Sequence, residues 1–238
     1  MLIGTNKNEL NYWIDELGGI VPFRLGLPVK LENDIKAFAK EDKHRVKAFM
    51  KERRGHNMWR IAEFYNEVMF RLPAVLQAQL HSENGGRAYM YYFTEPSAIK
   101  YRGSCHAVEL SYVFGNTDET IYTGEPADKC LSETIMNMWV NFAKYGDPSI
   151  PKHKWERYNH SDRATMVIKK SPELKHDILK KQRKLLTPLL KYMINASYTE
   201  LNLNVPFVYK AAAHTLIAAA GTAAVAYGIS KILKRKKQ

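Results

Sequence analysis

At 238 residues the chain can bury one substantial core, and its 45% hydrophobic and 11% aromatic content excludes a chain left disordered for want of apolar surface. The formal net charge of +12 is unevenly placed: residues 1–168 hold 22 Lys+Arg against 21 Asp+Glu, whereas residues 169–238 hold 14 against 3. A groove for a nucleic-acid backbone would put charge on the globular part as well, so nucleic acid is not the expected partner and the excess marks a basic tail.

The chain begins with an apolar piece, Leu2-Ile3, that reads as the end of a buried strand, with Gly4–Asn8 as the turn leaving it. Met1–Gly4 lacks the charged start, long apolar run and cleavage site of a signal peptide, so the chain is expected to open in the middle of a domain. Glu9 falls on the lip where strand gives way to loop. In parallel α/β sheets ligands bind outside the carboxyl ends of the strands, which is where a working carboxylate would stand. A helix-start carboxylate, stabilising exposed N–H groups, is the alternative.

Tyr12–Leu17 reads as a short amphipathic helical turn broken by Gly18-Gly19, and Leu31–Met50 as a helix whose Ile35, Phe38, Ala39, Val46 and Phe49 share a face. Met58–Leu80 is a second long helix, kinked or interrupted by Pro73. Asn84-Gly85-Gly86 marks a turn, and Ala88–Phe93 after it an aromatic strand. Next come Gly103-Ser-Cys-His106 and Glu109. An imidazole on a Gly-led turn, with a carboxylate three residues on, suits a ring held at one angle toward an open site.

Leu131–Tyr145 is predicted as an amphipathic helix with Ser132 as its cap and Gly146 as its stop; Trp155–Tyr158 and Thr165–Ile168 are predicted as short edge strands. Helices alternating with isolated apolar strands indicate an α/β fold. Cys105 and Cys130 supply neither a metal-ligand set nor a disulfide framework. They are read as two unlinked thiols, with a single bridge as the alternative.

Composition changes at Lys169. Residues 169–210 read as a basic helical linker, with Glu173–Met193 a helix interrupted at Pro188. Residues 211–230 carry no formal charge if His214 is neutral, and Lys231, Lys234, Arg235, Lys236 and Lys237 follow in the basic flank 231–238. As a helix this stretch would cover roughly 30 Å at about 1.5 Å per residue, enough to cross a hydrocarbon core, with the basic C-terminus on the cytoplasmic side. Nine of the twenty residues are alanine, which weakens insertion. An interfacial helix and an Ala-rich helix paired with a partner are the alternatives to a membrane span.

Four segments in order resemble the carboxylesterase type B family, the α/β-hydrolases that include the cholinesterases. They are Ile3-Gly-Thr-Asn-Lys-Asn-Glu9, Tyr89-Met-Tyr-Tyr-Phe93, Gly103-Ser-Cys-His-Ala-Val-Glu109 running on to Gly115, and Trp139-Val-Asn-Phe-Ala-Lys-Tyr-Gly-Asp-Pro148 followed by Trp155-Glu-Arg-Tyr158. The resemblance covers about residues 1–168 and implies the C-terminal portion of an α/β-hydrolase domain with an incomplete sheet. By position it implies Glu9 as triad acid, His106 as triad base and Glu109 as a buried structural support. It implies a small carboxylic ester as substrate, and a serine mechanism that needs no metal or cofactor.

Two departures stand out. No serine lies in a G-x-S-x-G elbow, and Leu10 occupies a position where the family usually has glycine. The chain therefore reads as a serine-esterase fragment, inactive alone; the alternative is a membrane-tethered, non-catalytic hydrolase-like domain with a binding or adhesion role.

Overall fold

A computed structural model describes residues 1–193. Its centre is a four-stranded sheet in the order β1 (Leu2–Asn6), β2 (Tyr89–Phe93), β3 (Ala164–Ile168) and β4 (Glu173–His176). The first three strands run parallel, in registers Ile3↔Met90 and Tyr91↔Met166, and β4 returns antiparallel to β3. Parallel neighbours need crossovers, and the two crossovers hold almost all the helix. Between β1 and β2 lie α1 (Trp13–Glu16), α2 (Ile20–Ala37), α3 (Lys40–Lys51), α4 (Asn57–Tyr65) and α5 (Leu72–Glu83). Between β2 and β3 lie α6 (Leu110–Val113) and α7 (Lys129–Tyr145).

Strand alternation assigns the faces. Met90 packs with Ala74, Val75 and Ala78 of α5, while Tyr89, Phe93, Met166 and Ile168 pack with Leu131, Ile135 and Met138 of α7. This is the three-layer α/β arrangement expected when both faces of a parallel sheet are covered. A further apolar cluster lies among α2, α3 and α4, around Phe23, Leu27, Phe49 and Phe64.

Several sequence expectations are corrected. β1 runs on through Gly4, Thr5 and Asn6, so the turn starts at Lys7; pairing with β2 holds these residues extended despite their weak strand propensity. The helix expected over Leu31–Met50 is two helices, because Phe38 and Ala39 take extended backbone at the end of α2. The interruption expected at Pro73 is a π-helical turn, Asn66–Arg71, that joins α4 to α5 just ahead of it, and the missing Pro73 N–H is accommodated at the start of α5.

The cap of α7 is Asp128, which accepts from Leu131 N–H at 3.0 Å, while Ser132 is buried and donates to the Tyr112 carbonyl at 2.8 Å. Gly146 does end that helix, at φ 68°. Thr165–Ile168 is an inner strand, buried throughout, and Trp155–Tyr158 is not a strand. Both cysteines are free, Cys105 buried and Cys130 exposed.

The largest correction concerns the segment after Lys169. Glu173–His176 is a strand, and α8 (Lys180–Leu186) and α9 (Leu190–Met193), joined by a 3-10 turn over Thr187–Leu189, bury Leu186, Leu189, Leu190 and Met193 against α2–α4. Asp42 of α3 receives Lys191 at 2.8 Å and the Tyr192 hydroxyl at 2.9 Å, and the Lys191 ammonium holds its carboxyl down to about 2. High basic content concealed a packed element whose apolar residues face inward. Among the described residues no helix is long and apolar enough to cross a membrane, and the stretch 211–230 lies outside the described residues.

Candidate active site

Because β1 and β2 are parallel neighbours, the loops leaving their carboxyl ends are thrown together. Main-chain and amide bonds then lace the loops to each other. Lys7 N–H donates to the Phe93 carbonyl at 2.9 Å and Asn8 N–H to the Ser104 carbonyl at 2.8 Å. Asn8 Oδ1 accepts from Ser104 N–H at 3.1 Å, and Asn11 Nδ2 donates to the Tyr101 carbonyl at 2.8 Å.

Within this frame Glu9 and His106 meet, although 97 residues separate them. Glu9 is buried and opens a 3-10 turn, Glu9–Tyr12. One of its carboxylate oxygens accepts from Asn6 N–H at 2.6 Å, and the other lies 2.7 Å from His106 Nδ1. Glu9 opens a helical turn, but its carboxylate is taken up by Asn6 N–H and the imidazole and caps none of the N–H groups of that turn. The His106 side chain is about half exposed (50%), and Trp13, Phe70 and Tyr12 surround it, with ring centroids 5.5, 6.0 and 6.1 Å away. A carboxylate on Nδ1 favours the tautomer with its proton there, leaving the lone pair on Nε2.

The hydrogen bond that His106 donates to Glu9 raises the His106 pKa above the ordinary imidazole value, against the opposing effect of burial. Glu109 is largely buried, and its side-chain partner is Asn6 Nδ2. Burial raises the Glu109 carboxyl above the usual range, and the Asn6 bond works against that shift. The Cys105 thiol, adjacent to His106 in sequence, is buried and pushed up to about 11, which leaves it a poor nucleophile.

Sequence reasoning passed over the asparagines that build the frame. Asn6 makes three bonds that tie its strand to both loops: its N–H to Glu9, and its amide to Glu109 and to the Cys105 carbonyl at 2.8 Å. Asn66 accepts from Leu10 N–H at 2.8 Å. Asn66, a polar residue inside a segment read as helix, was an available signal, whereas Asn6 lay in a stretch read as turn and gave none.

The turn carrying His106 is also strained. Tyr101 and Ala107 have φ 72° and 67°, and Gly103, at φ 57°, would place a Cβ 2.6 Å from Asn8 Oδ1. Gly103→Ala is therefore expected to cost about 1–2 kcal/mol of stability, read as a lowered urea midpoint, and to loosen the Asn8–Ser104 bond.

A cavity of about 560 Å³ lies behind this loop pair, lined by Asn8, Asn11, Tyr101 and Gly103 together with Trp59, Asn66 and Glu67; His106 does not line it. Among the described residues, one group has the ligand types for a metal ion: Glu156, Asp162 and His176, their ligand atoms within 4.8 Å of one another, toward the β4 edge and away from Glu9. No serine, threonine or cysteine is hydrogen-bonded to His106 among the described residues.

A parallel sheet that delivers a carboxylate and then an imidazole from the ends of adjacent strands defines the α/β-hydrolase class. Structural similarity agrees: the fold superposes on a solved PNB esterase with a TM-score of 0.61 at 27% identity, over 78% of this chain and 37% of that one. The chain belongs to the carboxylesterase family, whose model matches residues 1–186. It is similar to para-nitrobenzyl esterase of Bacillus subtilis (strain 168), 34% identical over 51% of this chain and 26% of that protein. It is also similar to human bile salt-activated lipase, 31% identical over 46% of this chain and 16% of that protein. The matched region thus spans about a quarter or less of these two relatives.

Proposed function

We propose that this chain supplies the acid, Glu9, and the base, His106, of a serine carboxylic-ester hydrolase whose nucleophile lies outside these 238 residues. The observation that carries the reading is the 2.7 Å contact between Glu9 Oε2 and His106 Nδ1, on a ring still half exposed. In the proposed reaction His106 Nε2 takes the proton of a serine hydroxyl as its oxygen attacks the ester carbonyl. The tetrahedral intermediate collapses, the alkoxide leaves with the proton from Nε2, and an acyl-serine remains. Water, deprotonated by the same nitrogen, then releases the acid and restores the serine. Glu9 stabilises the imidazolium through Nδ1 at each step, and Glu109 with Asn6 supports the pair.

Most of the rate in such chemistry depends on the nucleophile and on donors to the oxyanion. The chain alone is therefore expected to hydrolyse a short-chain aryl ester no faster than buffer, and to do so efficiently as part of a polypeptide carrying a G-x-S-x-G segment ahead of it. An extended polypeptide that folds and remains inert would overturn the reading.

The composition of residues 211–230, outside the described part, further supports attachment to a membrane. The full chain is expected to stay with membranes through an alkaline carbonate wash, whereas a version ending at Lys210 is released. Release of both would count against a stable span.

A further inference from the structure

The 3-10 turn that carries Glu9 has no cap of its own. The residue before it, Asn8, is of the type that usually caps, but its side-chain oxygen is committed to Ser104 N–H across the loop pair, and it makes no capping bond. The first N–H groups of such a turn have no partner within it, and the Leu10 N–H is buried, so a partner must come from elsewhere. It comes from Asn66, 56 residues further on, whose Oδ1 accepts from Leu10 N–H at 2.8 Å. Asn66 is itself buried and is the first residue of the π-helical turn between α4 and α5. Such turns change the register of a helix locally and are frequent at functional sites.

We propose that Asn66 is a positioning residue: a cap supplied from the α4–α5 junction that fixes the turn bearing Glu9, and so holds the Glu9 carboxylate against His106 Nδ1. Its importance for catalysis rests on the proposed acid and base roles of that pair; its effect on the geometry does not. Three other bonds hold the same turn, from Asn6 N–H to Glu9 Oε1, from Asn11 Nδ2 to the Tyr101 carbonyl, and from His106 N–H to the Glu9 carbonyl at 3.4 Å. All three tie it to its own strand or to the His106 loop. Asn66 alone among these four ties it to the helical layer. Leu10 completes that anchorage, since its side chain is buried in the α2–α4 cluster. Losing the Asn66 acceptor leaves the Leu10 N–H buried and unpaired, and the turn can satisfy it only by shifting toward water. Glu9 is the adjacent residue and moves with it.

The test reads the imidazole directly in the full chain and needs no turnover. In isotope-labelled protein, the His106 ring is titrated by NMR and its downfield Nδ1–H proton is observed. Asn66→Leu, near in size but lacking an acceptor, is expected to lower the His106 pKa toward its ordinary value of about 6.5 and to broaden or lose the Nδ1–H resonance. Asn66→Asp keeps the acceptor and is expected to keep that resonance. Thr165→Val is the control for general loosening: it removes another buried side-chain bond, to the Arg163 carbonyl, on β3, and is expected to leave His106 unchanged.

If Asn66→Leu does not fold, Asn66→Ser, which withdraws the acceptor while staying polar, is expected to give the same two changes. An unaltered titration and resonance in the folded variant would overturn the proposal. So would equal changes in Thr165→Val, because the effect would then be one of stability alone. Failure of the extended polypeptide to hydrolyse esters would leave these spectra untouched, so the two ideas fail separately.

Discussion

His106→Ala, made in a polypeptide that also carries the serine elbow, is expected to lower kcat/KM for a short aryl ester by roughly 10⁴- to 10⁶-fold, leaving the fold intact. The imidazole is half exposed, so circular dichroism should barely change, but it pairs the buried Glu9 carboxylate, so the unfolding midpoint should fall modestly. Glu9→Gln should cost about 10⁴-fold, because an amide on Nδ1 no longer selects the productive tautomer or stabilises the imidazolium. Retention of more than a tenth of the activity by His106→Ala would rule the residue out as the base.

The pH profile supplies an independent check. Glu9 raises the His106 pKa, and only the neutral ring accepts a proton, so activity should rise with pH through an inflection above about 6.5. Stability moves the other way. A raised folded-state pKa means that the imidazolium–carboxylate pair stabilises fully below about 6.5, and that this contribution fades as pH climbs through the folded value. Removing the carboxylate in Glu9→Gln should bring the activity inflection down and flatten the stability change. An inflection that stays where it was would show that Glu9 does not set the His106 pKa.

Glu67→Ala is expected to produce the largest loss of stability, about 3–5 kcal/mol, read from urea unfolding of the full chain. Glu67 and Arg71 form a bidentate pair one helical turn apart, with contacts of 2.8 and 3.0 Å from Arg71 Nε, and both side chains are at most 5% exposed. Burial alone would lower the Arg71 pKa, but the neighbouring carboxylate outweighs it and keeps the guanidinium charged. Deleting the carboxylate strands that charge next to Tyr92, under the sheet. Replacing both residues by apolar ones of similar volume, as Glu67→Leu with Arg71→Met, should recover most of the loss, since buried ion pairs roughly balance against hydrophobic packing. A small cost for Glu67→Ala alone would mean that water reaches the Arg71 guanidinium.

Local patterns in the sequence were enough for elements that announce themselves within a few residues. The aromatic run in Ala88–Phe93 reads as a strand, Gly146 as a helix stop, and the Gly-led segment around His106 as a turn. The strand at Leu2–Asn6 was half seen, because Gly, Thr and Asn carry weak local preference and only pairing with β2 extends them. Glu173–His176 was misread as helix for a related reason. Its lysine-rich surroundings look like a solvated helix face, whereas β3 offers an open edge that pairs with it antiparallel.

Family, the chain order of acid before base, and the candidacy of Glu9, His106 and Glu109 could be read from the residues alone, because segment resemblance and residue type are properties of the string. Chain packing was needed to bring Glu9 Oε2 within 2.7 Å of His106 Nδ1, to join Glu109 to Asn6, and to cap the turn bearing Glu9 with Asn66. These contacts join residues 97, 103 and 56 positions apart; the first two exist because parallel pairing of β1 with β2 brings two loops to one edge of the sheet, and the third because the α4–α5 junction packs against the turn leaving β1. Separations of that length are set by sheet topology and core packing, which no short window of sequence contains.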